Sequence, residues 1–217
     1  MNRALLALVV TAGLAAGCSR SGTLVPAPPP SGWAEDILAR RVAKDREFAL
    51  AGDSPLRDGD RAAFRGLSYW PPDPAYRLGG WVEFYAQPER LTMITTNGAE
   101  RPCEKVGRVT FTLSGETCRL EVYRLLDMDR RPGGEGLFLP FMDATTGVET
   151  YPAGRYVDLE GPEGGPFVLD FNRAYNPLCA YGRVDRYRCP VTPRENRLAV
   201  RVEAGERGFA PPRPGPA

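Results

Sequence analysis

The sequence predicts an all-β domain, an antiparallel flattened barrel or sandwich, with one N-terminal helix. Three observations predict it. From Tyr69 onward apolar residues recur at every second position, these stretches are short and separated by Gly- and Pro-rich punctuation, and the one long segment with helical spacing lies before them. Many short strands broken by tight turns close as a sandwich or a barrel.

The elements follow in order. Residues 1–17 read as a secretory signal peptide: Arg3 is the positive n-region, Ala4 to Gly13 is an apolar run too short to span a bilayer, and small residues follow. The run ends in "LAAGC", which resembles a bacterial lipobox, with Gly17 before the cut and Cys18 as the residue to be acylated. Ala15 stands where a larger aliphatic is usual. The resemblance implies a diacylglyceryl thioether on Cys18 and a fatty amide such as palmitate on its nitrogen, so that the membrane is a partner through the lipid. Ser19 rather than aspartate at the next position implies the outer membrane, facing the periplasm. Residues 18–32, rich in serine, proline and glycine, read as a solvated tether with polyproline II character.

A helix is expected over about Ala34 to Ala49, where Ile37, Leu38, Val42 and Phe48 make a thin apolar stripe. "GDSPL" ends it, and "RDGDRAAFRGL" suggests a further short turn. Strands are then expected at "WVEFYA", "LTMITT", "GRVTFTL", "CRLEVYRL", "LFLPFM", "RYVDLE", "PFVLDFN" and "RLAVRVEA". In "GRVTFTL", Val109, Phe111 and Leu113 share one face; in "RLAVRVEA", Leu198, Val200 and Val202 oppose Arg201 and Glu203. The turns are "TNGA", "LSGE", "RPGGEG", "ATTG" and "GPEGGP". The domain is expected over 33–206, with 207–217 as a disordered tail.

Composition narrows the chemistry. The chain of 217 residues has 28 basic and 27 acidic side chains, interspersed without a like-charge block, which argues against nucleic acid as a partner. It has no histidine. That removes Ser-His-Asp and Cys-His catalysis, histidine metal sites and imidazole pH switching. No cofactor and no metal are expected, and the sequence sets no oligomeric state.

The pieces "KDREFALAGDSPL", "FRGLSYWPPDPAYR", "GRVTFTLSGETCRLEVYRL", "GLFLPFMDATTGVETYPAGRYVDLE", "LDFNRAYNPLCAY", "CPVTPREN" and "AGE" resemble the uncharacterised bacterial family catalogued as domain of unknown function 1684, from about Lys44 to Glu206. The resemblance carries no established activity with it. It does raise the weight of "TY", "GRY", "DFN" and "YNP", whose crowded polar and aromatic residues are expected to line a pocket.

The candidate residues are these. Cys179 and Cys189, ten positions apart in an exported chain, suggest a disulfide closing a small loop; free neighbouring thiols are the other reading. Cys103 and Cys118 are left to each other by default, although strand geometry separates them. Arg124 falls on the apolar face of its strand, counting by two from Leu120 and Val122, so it either meets a carboxylate, Asp143, Asp158 or Asp170, or is turned outward by a bulge. If "RYVDLE" and "PFVLDFN" form a hairpin, Asp158 and Asp170 become neighbours that could divide acid and base roles.

Two functions are expected from these residues. The first is an envelope lipoprotein binding a small molecule, glycan or peptide through Arg124, Arg155, Tyr156, Asp158, Asp170, Asn172 and Asn176. Its rival is a hydrolase using paired carboxylates drawn from Asp143, Asp158, Asp170 and Glu195. A third class, a purely structural envelope lipoprotein, would have a filled interior.

Overall fold

The computed structural model describes residues 22–127, 136–159, 161, 165–184 and 186–211. The signal peptide, Cys18, Glu160 and most of the "RPGGEG" turn lie outside these residues.

The core strands form because their alternation is clean. β4 (Glu100–Leu113) and β5 (Glu116–Leu125) make a hairpin closed by Ser114 and Gly115, both in the left-handed region (φ 53° and 81°), the geometry that matches strand twist. β3 (Glu83–Ile94) runs antiparallel to the first half of β4, so "WVEFYA" and "LTMITT" belong to one strand, interrupted by a register shift between Phe84 and Glu89. β6 (Leu137–Phe141) pairs with β5, and β7 (Arg155–Asp158) with β6. β4 runs through "EKVG" with a bulge at Val106, where Lys105 faces Tyr123 and Gly107 faces Val122. Gly107 is needed there because a Cβ would lie 2.5 Å from the Glu83 carbonyl oxygen of β3.

The N-terminal segment departs from expectation. Thr23–Pro26, inside the expected tether, is β1, with Leu24 only 2% exposed. β1 runs parallel to β4 beside Thr110 and Phe111, and antiparallel to β2 (Arg77–Gly80). β2 pairs in turn with β8 (Phe167–Asp170). The strand order is β7-β6-β5-β4-β1-β2-β8, with β3 on the remaining length of β4. The sheet is therefore mixed rather than purely antiparallel, although the protein is mostly β. β7 and β8 do not pair as a hairpin; the two ends of the sheet approach each other. Tyr156 of β7 exchanges backbone hydrogen bonds with Tyr175, just past β8, and nearly closes the barrel.

Inside lies an apolar core that includes Val109, Phe111, Leu120, Val122, Leu139, Phe141, Leu169 and Phe171. "RLAVRVEA" does not form a strand, yet its alternation holds: Leu198, Val200 and Val202 are buried in this core while Arg201 and Glu203 face water. A smaller cluster of Met93, Cys103, Tyr123, Phe138 and Tyr156 covers the other face at the β3–β7 end. Residues 189–191 lie over it, joined to Ile94–Thr96 by Thr96 N–H to the Cys189 carbonyl (2.9 Å) and Val191 N–H to the Ile94 carbonyl (2.8 Å).

The helix α1 spans Trp33–Leu50. Its buried residues are Trp33, Ile37 and Phe48, whereas Leu38 and Val42 of the expected stripe are exposed. Polar side chains complete the docking: the Trp33 indole donates to Asp170 (2.7 Å), Arg41 to the Trp70 carbonyl (2.7 Å), and Lys44 pairs with Glu206. The first residues of the expected tail are packed against the domain. Phe209 packs on Phe64 and Tyr181, and Gly208 N–H bonds to the Glu149 carbonyl (2.8 Å).

Candidate functional site

The segments expected to line a pocket are packed into the protein instead, with Arg155, Tyr156, Asp170, Asn172 and Asn176 all buried. Arg155, 1% exposed, is its centre. One guanidinium nitrogen donates to the Ala204 and Glu206 carbonyls (2.5 and 3.1 Å), the other to the Val202 carbonyl (2.8 Å) and the Asp143 carboxylate (3.3 Å). The ring of Phe141 and that of Trp70 lie 5.0 and 5.3 Å from it. Burial lowers its pKa to about 10, while Asp143 works against that loss. Asp143 is itself fully engaged, accepting from Val202 N–H (2.6 Å), Thr145 and Thr146.

Glu206, also 1% exposed, organises the neighbouring layer. It accepts from Lys44, from the Tyr181 hydroxyl and from Asn176 N–H (2.9 Å). "AGE" turns its carboxylate inward because Gly205 adopts φ 76°; a Cβ there would meet the Ala174 and Phe171 carbonyl oxygens at 2.6 and 2.7 Å. Desolvation first, and the adjacent Glu206 charge second, drive the Tyr181 pKa far up, so this phenol is a fixed donor.

The other expected residues are distributed over separate contacts. Asp170 takes the Trp33 indole and lies 3.9 Å from both Arg77 and Arg173; Asn172 bonds Asp170 and bridges to Asp73. The Tyr156 hydroxyl donates to the Pro190 carbonyl, and Tyr175 donates to Asp158 (3.3 Å). Arg124 does share the face of Leu120 and Val122, and a carboxylate does meet it. That partner is Glu104 of β4, at 3.3 Å, not Asp143, Asp158 or Asp170. Glu195 accepts from Tyr123 (3.0 Å), with Lys105 at 3.8 Å. The four candidate carboxylates are thus each engaged by a cation, an indole, a hydroxyl or a phenol of their own, and the hairpin expected to join Asp158 to Asp170 is absent among the described residues.

The four described cysteines are free thiols. Cys103 pairs in register with Leu125, and Cys118 sits seven residues further down β5, about 24 Å away at strand rise. This overturns the Cys103–Cys118 bridge: the two cysteines belong to different clusters on opposite faces. Cys179 and Cys189 are in contact but unbonded. Cys179 N–H donates to Cys189 Sγ (3.3 Å), and the Tyr151 hydroxyl lies 3.7 Å from Cys179 Sγ. The Cys189 thiol hydrogen bond pulls the Cys179 pKa down, against the desolvation that opposes it, and in turn pushes that of Cys189 up.

Sequence reasoning missed Lys44, Arg41, Glu206 and Tyr181. Lys44, Glu206 and Tyr181 stood within the quoted pieces "KDREFALAGDSPL", "AGE" and "LDFNRAYNPLCAY", but a lone lysine on a charged helix and a glutamate near a tail carry no spacing signal of burial.

A nearly closed, mostly β barrel with a helix strapped on by the Lys44–Glu206 pair and the Trp33–Asp170 hydrogen bond is the class that fold and site define. The family model described as protein of unknown function DUF1684 matches residues 62–207, and the chain belongs to that family. It is similar to a solved structure, the solution NMR structure of an uncharacterised protein from Haloarcula marismortui, at 38% identity and a TM-score of 0.61, over 81% of this chain and 94% of that one. No curated protein matches.

Proposed function

We propose that this protein is an exported lipoprotein, cut before Cys18 and anchored there by acyl chains in the outer membrane, whose barrel is a rigid binding platform and not a catalyst. The observation that carries the non-catalytic half is the filled interior: the side chains best suited to acid–base work are spent on Arg155, Trp33, Tyr175 and Tyr123. The ligand, a glycan or peptide of the envelope, would lie on the outer surface. A shallow depression of about 390 Å3 between the 145–150 turn and the last described residues, lined by Ser68, Val148, Glu149, Arg207 and Phe209, is suited to it. None of the residues expected to bind ligand lines this depression.

The anchoring half rests on the "LAAGC" segment and acquires a geometric consequence from β1. Only Ser19 to Gly22 separate Cys18 from the sheet, and four residues reach about 14 Å at full extension. The barrel therefore rides against the bilayer instead of on a long stalk. In an oxidising periplasm the Cys179 and Cys189 thiols would be joined. The test is membrane fractionation with labelled palmitate in a bacterial host. The wild-type chain should carry label and sediment with outer membranes, and Cys18→Ala should lose both. Label or sedimentation retained in Cys18→Ala would reject the anchor.

A further inference from the structure

The helix α1 carries a second apolar face that the barrel does not use. We propose that this face is a self-association surface, on which a second copy of the chain docks its own α1, antiparallel and about a two-fold axis.

Trp33, Ile37 and Phe48 turn α1 toward the barrel, yet on its outward side Leu38, Val42 and Leu50 are 50, 68 and 68% exposed. Helical spacing by four sorts the outward residues into two neighbouring rows. One row is large: Leu38, Val42, Arg46 and Leu50. The other is small at its centre: Glu35, Ala39, Ala43 and Glu47, all exposed. A shallow groove of about 510 Å3 runs along them, lined by Ala39, Val42, Ala43, Arg46, Glu47 and Leu50. A large row beside a small one is self-complementary, because the ridge of one helix fits the trough of an identical helix turned end for end.

Charge fixes the register. The neighbouring charges of α1 are spent within the fold: Asp36 on Arg40 and Arg173, Lys44 on Glu206, Arg41 on the Trp70 carbonyl, and Asp45 on Leu67 N–H. Glu35 and Arg46 are exposed on the outward face and meet no charged partner among the described residues. Placing Glu35 against the partner's Arg46 sets Leu38 opposite the partner's Ala43 and Val42 opposite the partner's Ala39. The two-fold axis repeats each contact, so an ion pair closes both ends of the apolar seam. A parallel pair would instead set like charges against each other. A lipid surface suits this face less well, because Glu35 and Glu47 lie within it. One helix pair falls below the roughly 1,200 Å2 of a standard interface, so a dissociation constant of about 100 µM is expected.

The test is sedimentation of the full chain carrying Cys18→Ala under reducing conditions, which makes its outcome independent of the anchoring reading. The expected result is a monomer–dimer equilibrium. Glu35→Arg or Arg46→Glu alone should weaken it at least about tenfold, since each sets like charges opposite at both ends. Mixing the two variants should restore the dimer as a heterodimer, one chain presenting two arginines and the other two glutamates. The double variant E35R/R46E should restore it as a homodimer. Both side chains are exposed, so every variant should unfold at the urea midpoint of its parent. A monomer up to about ten times the expected dissociation constant, association indifferent to both reversals, or no recovery on mixing would overturn the assignment. So would flotation of the monomer with phosphatidylethanolamine–phosphatidylglycerol vesicles that Val42→Glu abolishes, which would give the face to lipid.

Discussion

Asp143 and Arg155 show what a buried polar residue does in this protein. Their side chains are 0% and 1% exposed, and each supplies what the other needs to be charged in the core. Removing one partner leaves the other uncompensated, which costs about 3–5 kcal/mol for buried pairs. Asp143→Asn should lower the urea-unfolding free energy by that amount; a change within experimental scatter would mean Arg155 is held by its carbonyls alone. Cys179 makes a second residue-scale prediction. Its folded pKa falls from the ordinary 9.0 to about 6, with the Cys189 thiol and the Tyr151 hydroxyl beside the sulfur and Tyr156 and Arg101 facing the pair. A depressed folded pKa contributes stability that is complete above the unfolded value and is lost as pH falls through the folded one. Below pH 9 Cys189 stays protonated in both states, so stability should decline from pH 9 toward 6. This decline should vanish in Cys179→Ser. Thiolate ultraviolet absorbance should appear at lower pH in the folded chain than in urea, and coincident titrations would refute it.

At the scale of elements, the alternating strands were legible and the exceptions have physical reasons. β4, β5 and β8 each showed a period of two because one face meets the core. The Leu198–Val202 stretch showed the same period without being a strand, since alternation reports burial and not hydrogen bonding. β1 was hidden: four residues with one buried side chain, next to a proline run, look like a tether, and parallel pairing to β4 leaves no local mark. The docking stripe of α1 was half hidden because Arg41 and Lys44 read as solvent-facing until their partners, the Trp70 carbonyl and Glu206, are known. Likewise parity placed Arg124 correctly, but the carboxylate opposite it depends on register, which the Val106 bulge sets. Leu24→Ala should cost about 2–5 kcal/mol, the range for a buried leucine. A tether residue would cost nothing, so an unchanged unfolding midpoint would remove β1 from the fold.

For the whole molecule, the filled barrel and the integral first strand bear on function together. An interior closed by Arg155 and Glu206 leaves the outer surface for the proposed ligand, and a sheet that begins at Thr23 brings this surface close to the proposed anchor at Cys18. Amide hydrogen exchange across residues 19–32 measures this most directly, because protection requires the backbone to be paired rather than merely near the barrel. Leu24, Val25 and Ala27 should exchange as slowly as β4, with Ala27 N–H held by the Arg77 carbonyl (3.0 Å). Uniform fast exchange from Gly22 through Gly32 would contradict the account, returning the segment to a free stalk and the barrel to a distance from the proposed anchor.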